Sequence, residues 1–269
     1  DLLLWPSREV ITYFGHANIH GEVPGVPEYR QGYAGISLGG IQQQAKEAGA
    51  LFQINHPTTF PPPLFSNLCR GCAFELDDEI SFADVDLIEV VNGPAIVTGA
   101  EVGLQLPGET ENPFIATAID YWLDQLIAGH KITAVSGSDS KGVDEPQERA
   151  RKGYGSSATQ IFAAELSRPA IQSALQRGHA YIQVRGALDS PRADLKVVAD
   201  NGAQGSFGAE IDAASATLTI TLAGATGQIL TLFNGKIPTL SVPVSSDPFV
   251  FEQTVLANPL APSPLGDIW

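Results

Sequence analysis

A short apolar stretch that ends in a histidine and a proline constrains this chain more than any other feature of its sequence. Residues 51–54, Leu-Phe-Gln-Ile, have the composition of a buried strand, His56 follows them, and Pro57 stops the strand. A second apolar stretch, residues 132–135, is followed by Ser-Gly-Ser-Asp-Ser, which contains Asp139. In α/β folds, catalytic and ligand residues lie at the C-terminal ends of strands. The pattern therefore predicts an α/β fold with functional side chains at one rim of its sheet.

A third polar group occurs near the start of the chain, where Glu9 precedes an apolar strand and His16 follows Gly15 in a tight turn. Glu9 alone has an ordinary explanation, because a glutamate at a strand start is usually a solvated charge. Imidazole nitrogens and carboxylate oxygens gathered at one rim are ligands that suit zinc, manganese or iron. The sequence therefore indicates a site for a divalent metal ion.

Four segments that contain these residues occur in the order of motifs in a known superfamily, with fitting spacers. They are Arg-Glu-Val with Gly-His-Ala-Asn in residues 8–18, Ile-Asn-His-Pro in 54–57, Ile-Glu-Val-Val-Asn-Gly in 88–93, and Gly-Ser-Asp-Ser in 137–140. Over about residues 5–190 the chain resembles the PHP superfamily, the polymerase-and-histidinol-phosphatase-type metallohydrolases. Its branch of carbamate-hydrolysing enzymes is the most similar.

The resemblance implies a fold, a cofactor and an activity. Residues 1–190 would form the C-terminal two thirds of a distorted (β/α)7 barrel, the α/β fold of the superfamily. Glu9, His16, His56 and Asp139 match positions that bind the metal cluster in the family, and His56 and Asp139 are the predicted catalytic residues. Divalent zinc, manganese or iron would activate a water molecule that hydrolyses a small phosphoester, ester or carbamate.

Two departures from the family pattern support an alternative. The histidine that usually stands two residues after the aspartate is Lys141 here, and a protonated lysine repels a cation. The His-x-His and Thr-Asp-His-like motifs that open a PHP domain do not occur, which predicts that the N-terminal part of the domain lies outside this sequence. The alternative is a catalytically impaired PHP-like scaffold that binds a glycan or a protein partner.

Hydrophobic spacing and capping residues predict three helices. The first spans about residues 38–48 and ends at Gly49, the second is capped by Asn112 before Pro113, and the third is capped by Ser167. Strands alternate with these helices, an order that is typical of a parallel sheet or barrel.

The helical spacing disappears after about residue 190. Thr217 and Thr219 alternate with apolar residues, and Asn234-Gly235 is typical of a tight turn between strands. The sequence therefore predicts a second domain over residues 191–269, a small antiparallel β-sandwich-like unit that ends in an extended tail.

The charge balance excludes one class of partner. The 30 acidic residues outnumber the 15 basic ones, which gives a formal net charge of −15. Without a basic stripe to replace counterions, no nucleic acid is expected as a partner. No apolar run approaches the length of a membrane span, so no transmembrane segment is expected. The expected partner is a small-molecule substrate. The oligomeric state stays open, and a secreted or periplasmic location is favoured over a cytoplasmic one.

The two cysteines, Cys69 and Cys72, lie in a proline-rich loop over residues 57–83 that is long enough to form a lid or a wall of the site. They form a short disulfide or remain two free thiols, and we expect no catalytic part for them. Glu89 and Asn92 end another apolar strand, where Asn92 is either a turn residue or a substrate contact. The remaining histidines are expected to be structural: His20, His130 and His179.

Overall fold

The computed structural model describes residues 2–21, 29–103, 108–140, 153–186, 190–261 and 263–269. Within these ranges the chain forms three α-helices: α1 (Leu38–Glu47), α2 (Pro113–Ile127) and α3 (Arg168–Gln176). The strands are β1 (Ser7–Ile11), β2 (His16–His20), β3 (Leu51–Ile54), β4 (Leu87–Asn92), β5 (Ile96–Thr98), β6 (Glu109–Glu111), β7 (Thr133–Gly137), β8 (Ala158–Ile161), β9 (Ala180–Gln183), β10 (Arg192–Ala199), β11 (Gln204–Gly205), β12 (Ser215–Ala223), β13 (Ile229–Asn234), β14 (Ile237–Pro243) and β15 (Phe249–Leu256).

The three predicted helices are confirmed, and each begins at a capping side chain. Asn112 accepts a hydrogen bond from Phe114 N at 3.1 Å, and Ser167 accepts one from Ala170 N at 3.3 Å. Ser37 caps α1 in the same way. Each cap satisfies a backbone N–H that has no partner within its helix. Local sequence therefore determines where the helices begin.

The central sheet has five strands in the order β1-β2-β3-β4-β7. The neighbours β1, β2 and β3 are antiparallel, whereas β3, β4 and β7 are parallel. The described strands do not close into a barrel, and the remaining ones lie in small separate sheets. Strand residues exceed helical residues, 34% to 20%. The predicted (β/α)7 barrel is therefore wrong.

The physical reason is that antiparallel pairs replace many of the crossovers that a barrel requires. Every parallel connection needs a long crossover, usually a helix. Here β1 pairs antiparallel with β2, and β5 pairs antiparallel with β6. The strands β8 and β9 also pair antiparallel, although α3 lies between them in the sequence. Among the described strands, parallel pairing thus occurs only between β3 and β4 and between β4 and β7.

Apolar side chains of the helices cover one face of the central sheet. Phe52, Ile54 and Ile88 from the sheet pack in one cluster with Leu38 and Ile41 from α1, and all five are at most 1% exposed. Fully burying a side chain of this size contributes about 1.5–3 kcal/mol. This cluster is therefore the main hydrophobic core of the described part of the chain.

The opposite face of the central sheet is divided into an apolar half and a polar half. Leu51, Leu87 and Val135 pack at one end against Leu175 of α3. Residues opposite each other in register, and alternate residues along a strand, share a face. By that register the polar half carries the following side chains: Glu9, His16, Asn18, Gln53, Asn55 and Glu89. We call this region the polar half-face.

The strands after residue 190 pair antiparallel. They form a four-stranded sheet, β11-β10-β12-β15, and the hairpin β13-β14. The end of the chain contacts other elements, because Gly235 N donates to Ile268 O at 2.7 Å and Ser263 Oγ donates to Leu126 O at 2.9 Å. The domain boundary at residue 190 stays a prediction. None of the helices in the described ranges is long and apolar enough to span a membrane.

Candidate metal centre

The β1–β2 hairpin brings the first two predicted ligands together. Its register places Glu9 and His16 on the polar half-face. The connection between the strands is tight, because Thr12 N donates to Gly15 O at 3.2 Å. Gly15 has φ +152°, and a Cβ at this position would lie 2.6 Å from the ring of Phe74. Glycine is therefore required here for the hairpin to pack against the Phe74 segment.

His56 is held in one orientation by two hydrogen bonds. Its backbone N–H donates to Glu89 Oε2 at 3.1 Å, and its Nδ1 lies 2.8 Å from the carbonyl oxygen of Cys72. Because a carbonyl only accepts, Nδ1 carries the proton and Nε2 keeps its lone pair. Burial lowers the pKa of His56, which favours the neutral ring that binds metals.

Glu9, His16 and His56 form one cluster, which we call the metal cluster. Each residue offers one ligand atom, and these atoms lie within 4.8 Å of one another. His16 Nδ1 is 3.5 Å from Glu9 Oε1, and the rings of His16 and His56 meet edge to face with centroids 5.0 Å apart. The hydrogen bond with His16 keeps the pKa of Glu9 below its ordinary value, although partial burial opposes this. One ionised carboxylate and two imidazoles are a suitable ligand set for a divalent metal.

His16 Nε2 provides a separate test of whether the metal cluster fits a cation. This nitrogen is buried and has no hydrogen-bond partner among the described residues. Most buried polar atoms in proteins are hydrogen-bonded. A metal ion would provide the partner that this nitrogen otherwise lacks, so the residues present fit a divalent ion.

Asp139, the fourth predicted ligand, does not join the metal cluster. It follows β7 with φ +44°, and it is exposed. Burial dominates the pKa of both His56 and Glu89, and the negative charge of Asp139 partly opposes the lowering at His56 and adds to the raising at Glu89. Its ligand and catalytic roles stay predictions. The substitution at Lys141 lies outside the described residues.

Glu89 is the residue of this site to which the sequence assigned no role. It is 6% exposed, and burial raises its pKa to about 8. Asn92 Nδ2 donates to Glu89 Oε2 at 3.1 Å, so Asn92 is a partner of this carboxylate. A Cβ on Gly137 would lie 2.5 Å from Glu89 Oε1, which explains the glycine there. The signal for this role is a single carboxylate within the otherwise apolar stretch Ile-Glu-Val-Val, because buried carboxylates are rare.

A cavity of about 10 Å³ lies between the metal cluster and the start of α2. His56 and Glu89 line it from the sheet, and Asn112 and Phe114 line it from α2. This volume is close to the minimum that holds one water molecule. The buried Glu89 and His56 therefore face a space in which one water molecule fits.

The predicted loop over the site does contact it. Cys69 and Cys72 are joined in a disulfide, the first of the two alternatives. Gly71, at φ +79°, packs so closely on the Thr12 carbonyl that a side chain has no room. The loop thus contacts the β1–β2 hairpin through Gly71. It contacts His56 through the Cys72 carbonyl. That the cysteines take no part in catalysis stays a prediction.

No protein-family model and no curated protein sequence matches this chain. The resemblance to the PHP superfamily therefore stays a prediction that rests on the four motif segments. Two of those segments supply the metal cluster, Glu9 and His16 from one and His56 from the next. Glu89 of the third segment accepts a hydrogen bond from the His56 backbone. Residues that are distant in the sequence thus meet at one site.

Proposed function

We propose that this protein is a metal-dependent hydrolase of the PHP type that acts on small phosphoesters, esters or carbamates. The observation that carries this proposal is the metal cluster of Glu9, His16 and His56, whose ligand atoms lie within 4.8 Å of one another. The order of the PHP-like motifs supports the same reaction class.

Glu9, His16 and His56 would hold the ion through one carboxylate oxygen and two imidazole nitrogens. A zinc, manganese or iron ion bound there would supply Lewis-acid chemistry and a water molecule of lowered pKa. Catalytic zinc sites commonly have three protein ligands and one open position. The number of clustered ligands therefore agrees with a catalytic site rather than a closed structural one.

The neighbouring groups of the chain fix these ligands in place. The Cys72 carbonyl holds His56 Nδ1, and Glu89 accepts from the His56 backbone. Metal-binding histidines almost always donate their second nitrogen to such a partner. Asp139 adds negative charge beside His56. Together these groups orient Nε2 of His56 and favour a cation.

The charge of the protein affects which substrate class is favoured. Its formal net charge is −15, and Asp139 adds a carboxylate near the metal cluster. Like charges repel an anionic phosphoester and do not repel a neutral ester or carbamate. Among the three classes, we therefore place esters and carbamates before phosphoesters.

The test measures metal content and hydrolysis in one set of purified variants. Wild type, His16→Ala, His56→Ala and Asp139→Asn are supplied with zinc or manganese, and the bound metal is counted by mass spectrometry. Each is then assayed with three substrates: nitrophenyl acetate, nitrophenyl phosphate and a nitrophenyl carbamate. We expect metal and turnover in the wild type, and loss of both in the two histidine variants, because each removes a ligand. We expect the same loss in Asp139→Asn, because Asp139 is the fourth predicted ligand.

His130→Ala is the matched control, since the His130 ring packs against Phe82 and is not part of the metal cluster. It should keep both metal and turnover. A wild-type chain that takes up no metal contradicts the proposal. Metal uptake without turnover on all three substrate classes favours the alternative, a scaffold that binds a glycan or a protein.

A further inference from the structure

Polar side chains of β1, β2, β3 and the residue after β3 form a continuous hydrogen-bonded series that ends at the metal cluster. The pairing register places the strand members on the face of the sheet that contains the polar half-face. In order, its members are Ser7, His20, Gln53, Asn55 and Glu9. We call this series the polar network.

The links of the polar network have ordinary hydrogen-bond lengths. Ser7 Oγ lies 2.7 Å from His20 Nδ1, and His20 Nε2 lies 2.9 Å from Gln53 Oε1. Gln53 Nε2 donates to Asn55 Oδ1 at 2.8 Å, and Asn55 Nδ2 donates to Glu9 Oε1 at 3.3 Å. His20 is thus connected to the Glu9 carboxylate of the metal cluster through the amides of Gln53 and Asn55.

The chemistry of the amides gives this network a single direction. Gln53 Oε1 only accepts, so His20 Nε2 donates and His20 Nδ1 accepts from the Ser7 hydroxyl. Gln53 Nε2 donates to Asn55 Oδ1, so the Asn55 amide nitrogen faces away from Gln53 and donates to Glu9 Oε1 and, at 3.0 Å, to Asn18 Oδ1. Gln53 is 6% exposed and Asn55 is 4% exposed. Water therefore offers little substitute for a lost bond, and a reversed amide would place two acceptors against each other.

We propose that Gln53 and His20 are positioning residues of the metal centre, which orient the Asn55 amide so that it holds Glu9 in its ligand position. This inference rests on the proposed function, because it assigns a purpose to the network only if the metal cluster binds an ion. A structural role alone would require that each buried group be hydrogen-bonded. The positioning role requires in addition that the donors point toward Glu9.

Gln53→Glu tests the direction, because a carboxylate has nearly the same shape as the amide but cannot donate to Asn55. Asn55 would turn its own donor toward residue 53 and its oxygen toward Glu9. Replacing the outer partner of a metal ligand typically costs 10–100-fold in affinity. We expect zinc affinity to fall by about that factor.

Gln42→Glu is the matched control for this variant. Gln42 is also a buried glutamine, 3% exposed, and it bonds the backbone of Ser81 on the far side of the sheet. This change should lower stability to a similar extent without changing zinc affinity.

A second pair of variants examines His20, where His20→Phe removes the hydrogen-bond donor and His20→Gln keeps one. We expect about tenfold weaker zinc binding for the first variant and an affinity near that of wild type for the second.

Zinc affinity is measured by competition with a chromophoric chelator, and stability is measured by urea unfolding without metal. Nitrogen NMR of the metal-free wild type identifies the His20 tautomer, for which we expect the proton on Nε2. A proton on Nδ1 overturns the proposed direction, as does wild-type zinc affinity in Gln53→Glu and His20→Phe. An equal loss of affinity in Gln42→Glu also overturns it, since the effect would then come from the fold. A wild-type chain that binds no zinc overturns the proposed function and this inference together.

Discussion

The two larger sheets of this protein differ in what they bury. On the central sheet and just beyond its strand ends, Gln53, His56 and Glu89 are each 6% exposed and hydrogen-bonded to other protein groups. On the C-terminal sheet, polar side chains such as Thr217 and Thr254 pair with each other at the exposed surface.

This difference indicates where function resides. Burying a polar group is unfavourable unless it is hydrogen-bonded, and burying a charge is more unfavourable still. The central sheet has such groups together in one place, and Glu89 has a strongly raised pKa. Perturbed carboxylates of this kind are concentrated at functional sites. The C-terminal sheet has ordinary exposed cross-strand pairs, which stabilise a sheet and need no further explanation.

The largest expected effect compares a core residue of the central sheet with a half-exposed residue of the C-terminal hairpin β13-β14. Phe52 in β3 is 1% exposed, whereas Phe233 in β13 is 48% exposed. Phe52→Ala should destabilise the protein by about 3–5 kcal/mol, because it leaves a cavity. Phe233→Ala should cost about 1 kcal/mol, since only part of its area is buried. Urea unfolding of both variants measures the difference, and equal losses would contradict the description of the central sheet as the main core.

The next effect concerns the disulfide loop, which contacts the β1–β2 hairpin and His56. Replacing both Cys69 and Cys72 with serine should lower stability by about 2 kcal/mol, because the unfolded chain is no longer constrained. Metal content should not change, since the bond to His56 comes from the backbone carbonyl of residue 72. Unfolding under oxidising and reducing conditions gives the stability, and mass spectrometry gives the metal. If the double variant loses its metal, the disulfide itself is needed to hold His56.

The smallest expected effect is a dependence of stability on pH that originates in the central sheet. Burial lowers the pKa of His20 from its ordinary value of 6.5, so the folded state keeps this ring neutral after the unfolded state has gained a proton. The unfolded state then binds more protons, and stability falls as the pH drops below about 6.5. All five histidines precede residue 190, so the C-terminal sheet contributes no histidine to this effect.

His20→Gln removes that group while keeping a hydrogen-bond donor. Stability of this variant relative to wild type should therefore improve by about 1 kcal/mol or less as the pH decreases from 7.5 to 5.5. Urea unfolding of both proteins at several pH values gives the difference in their free energies of unfolding. The carboxylates are common to both proteins, so their contributions cancel in this difference. A constant difference across this range would show that the pKa of His20 is the same in the folded and unfolded states, which contradicts the lowered pKa.

Local signals in the sequence determined much of the secondary structure. Asn112 and Ser167 cap helices where they were expected, because a cap depends only on the residues beside it. The strand that precedes His56 is also present. Three of the four predicted metal ligands, Glu9, His16 and His56, lie in one cluster. These predictions depend on residue type and short spacing.

Only the tertiary structure decided whether paired strands run parallel or antiparallel and whether the sheet closes into a barrel. The same apolar strand composition fits an open mixed sheet and a closed parallel barrel, because closure depends on which distant strands pair. The hairpin that joins Glu9 to His16, and the antiparallel pairing of β8 with β9, exclude the (β/α)7 barrel.

The partners of the buried polar groups also required the tertiary structure. The sequence by itself determined that Glu89 lies in an apolar strand and that His56 ends another. Only the folded chain places the Glu89 carboxylate under the His56 backbone and the Gln53 amide against Asn55. A hydrogen-bond partner 33 residues away is set by the register between strands, and the pKa of Glu89 is set by the low-dielectric surroundings that this register creates.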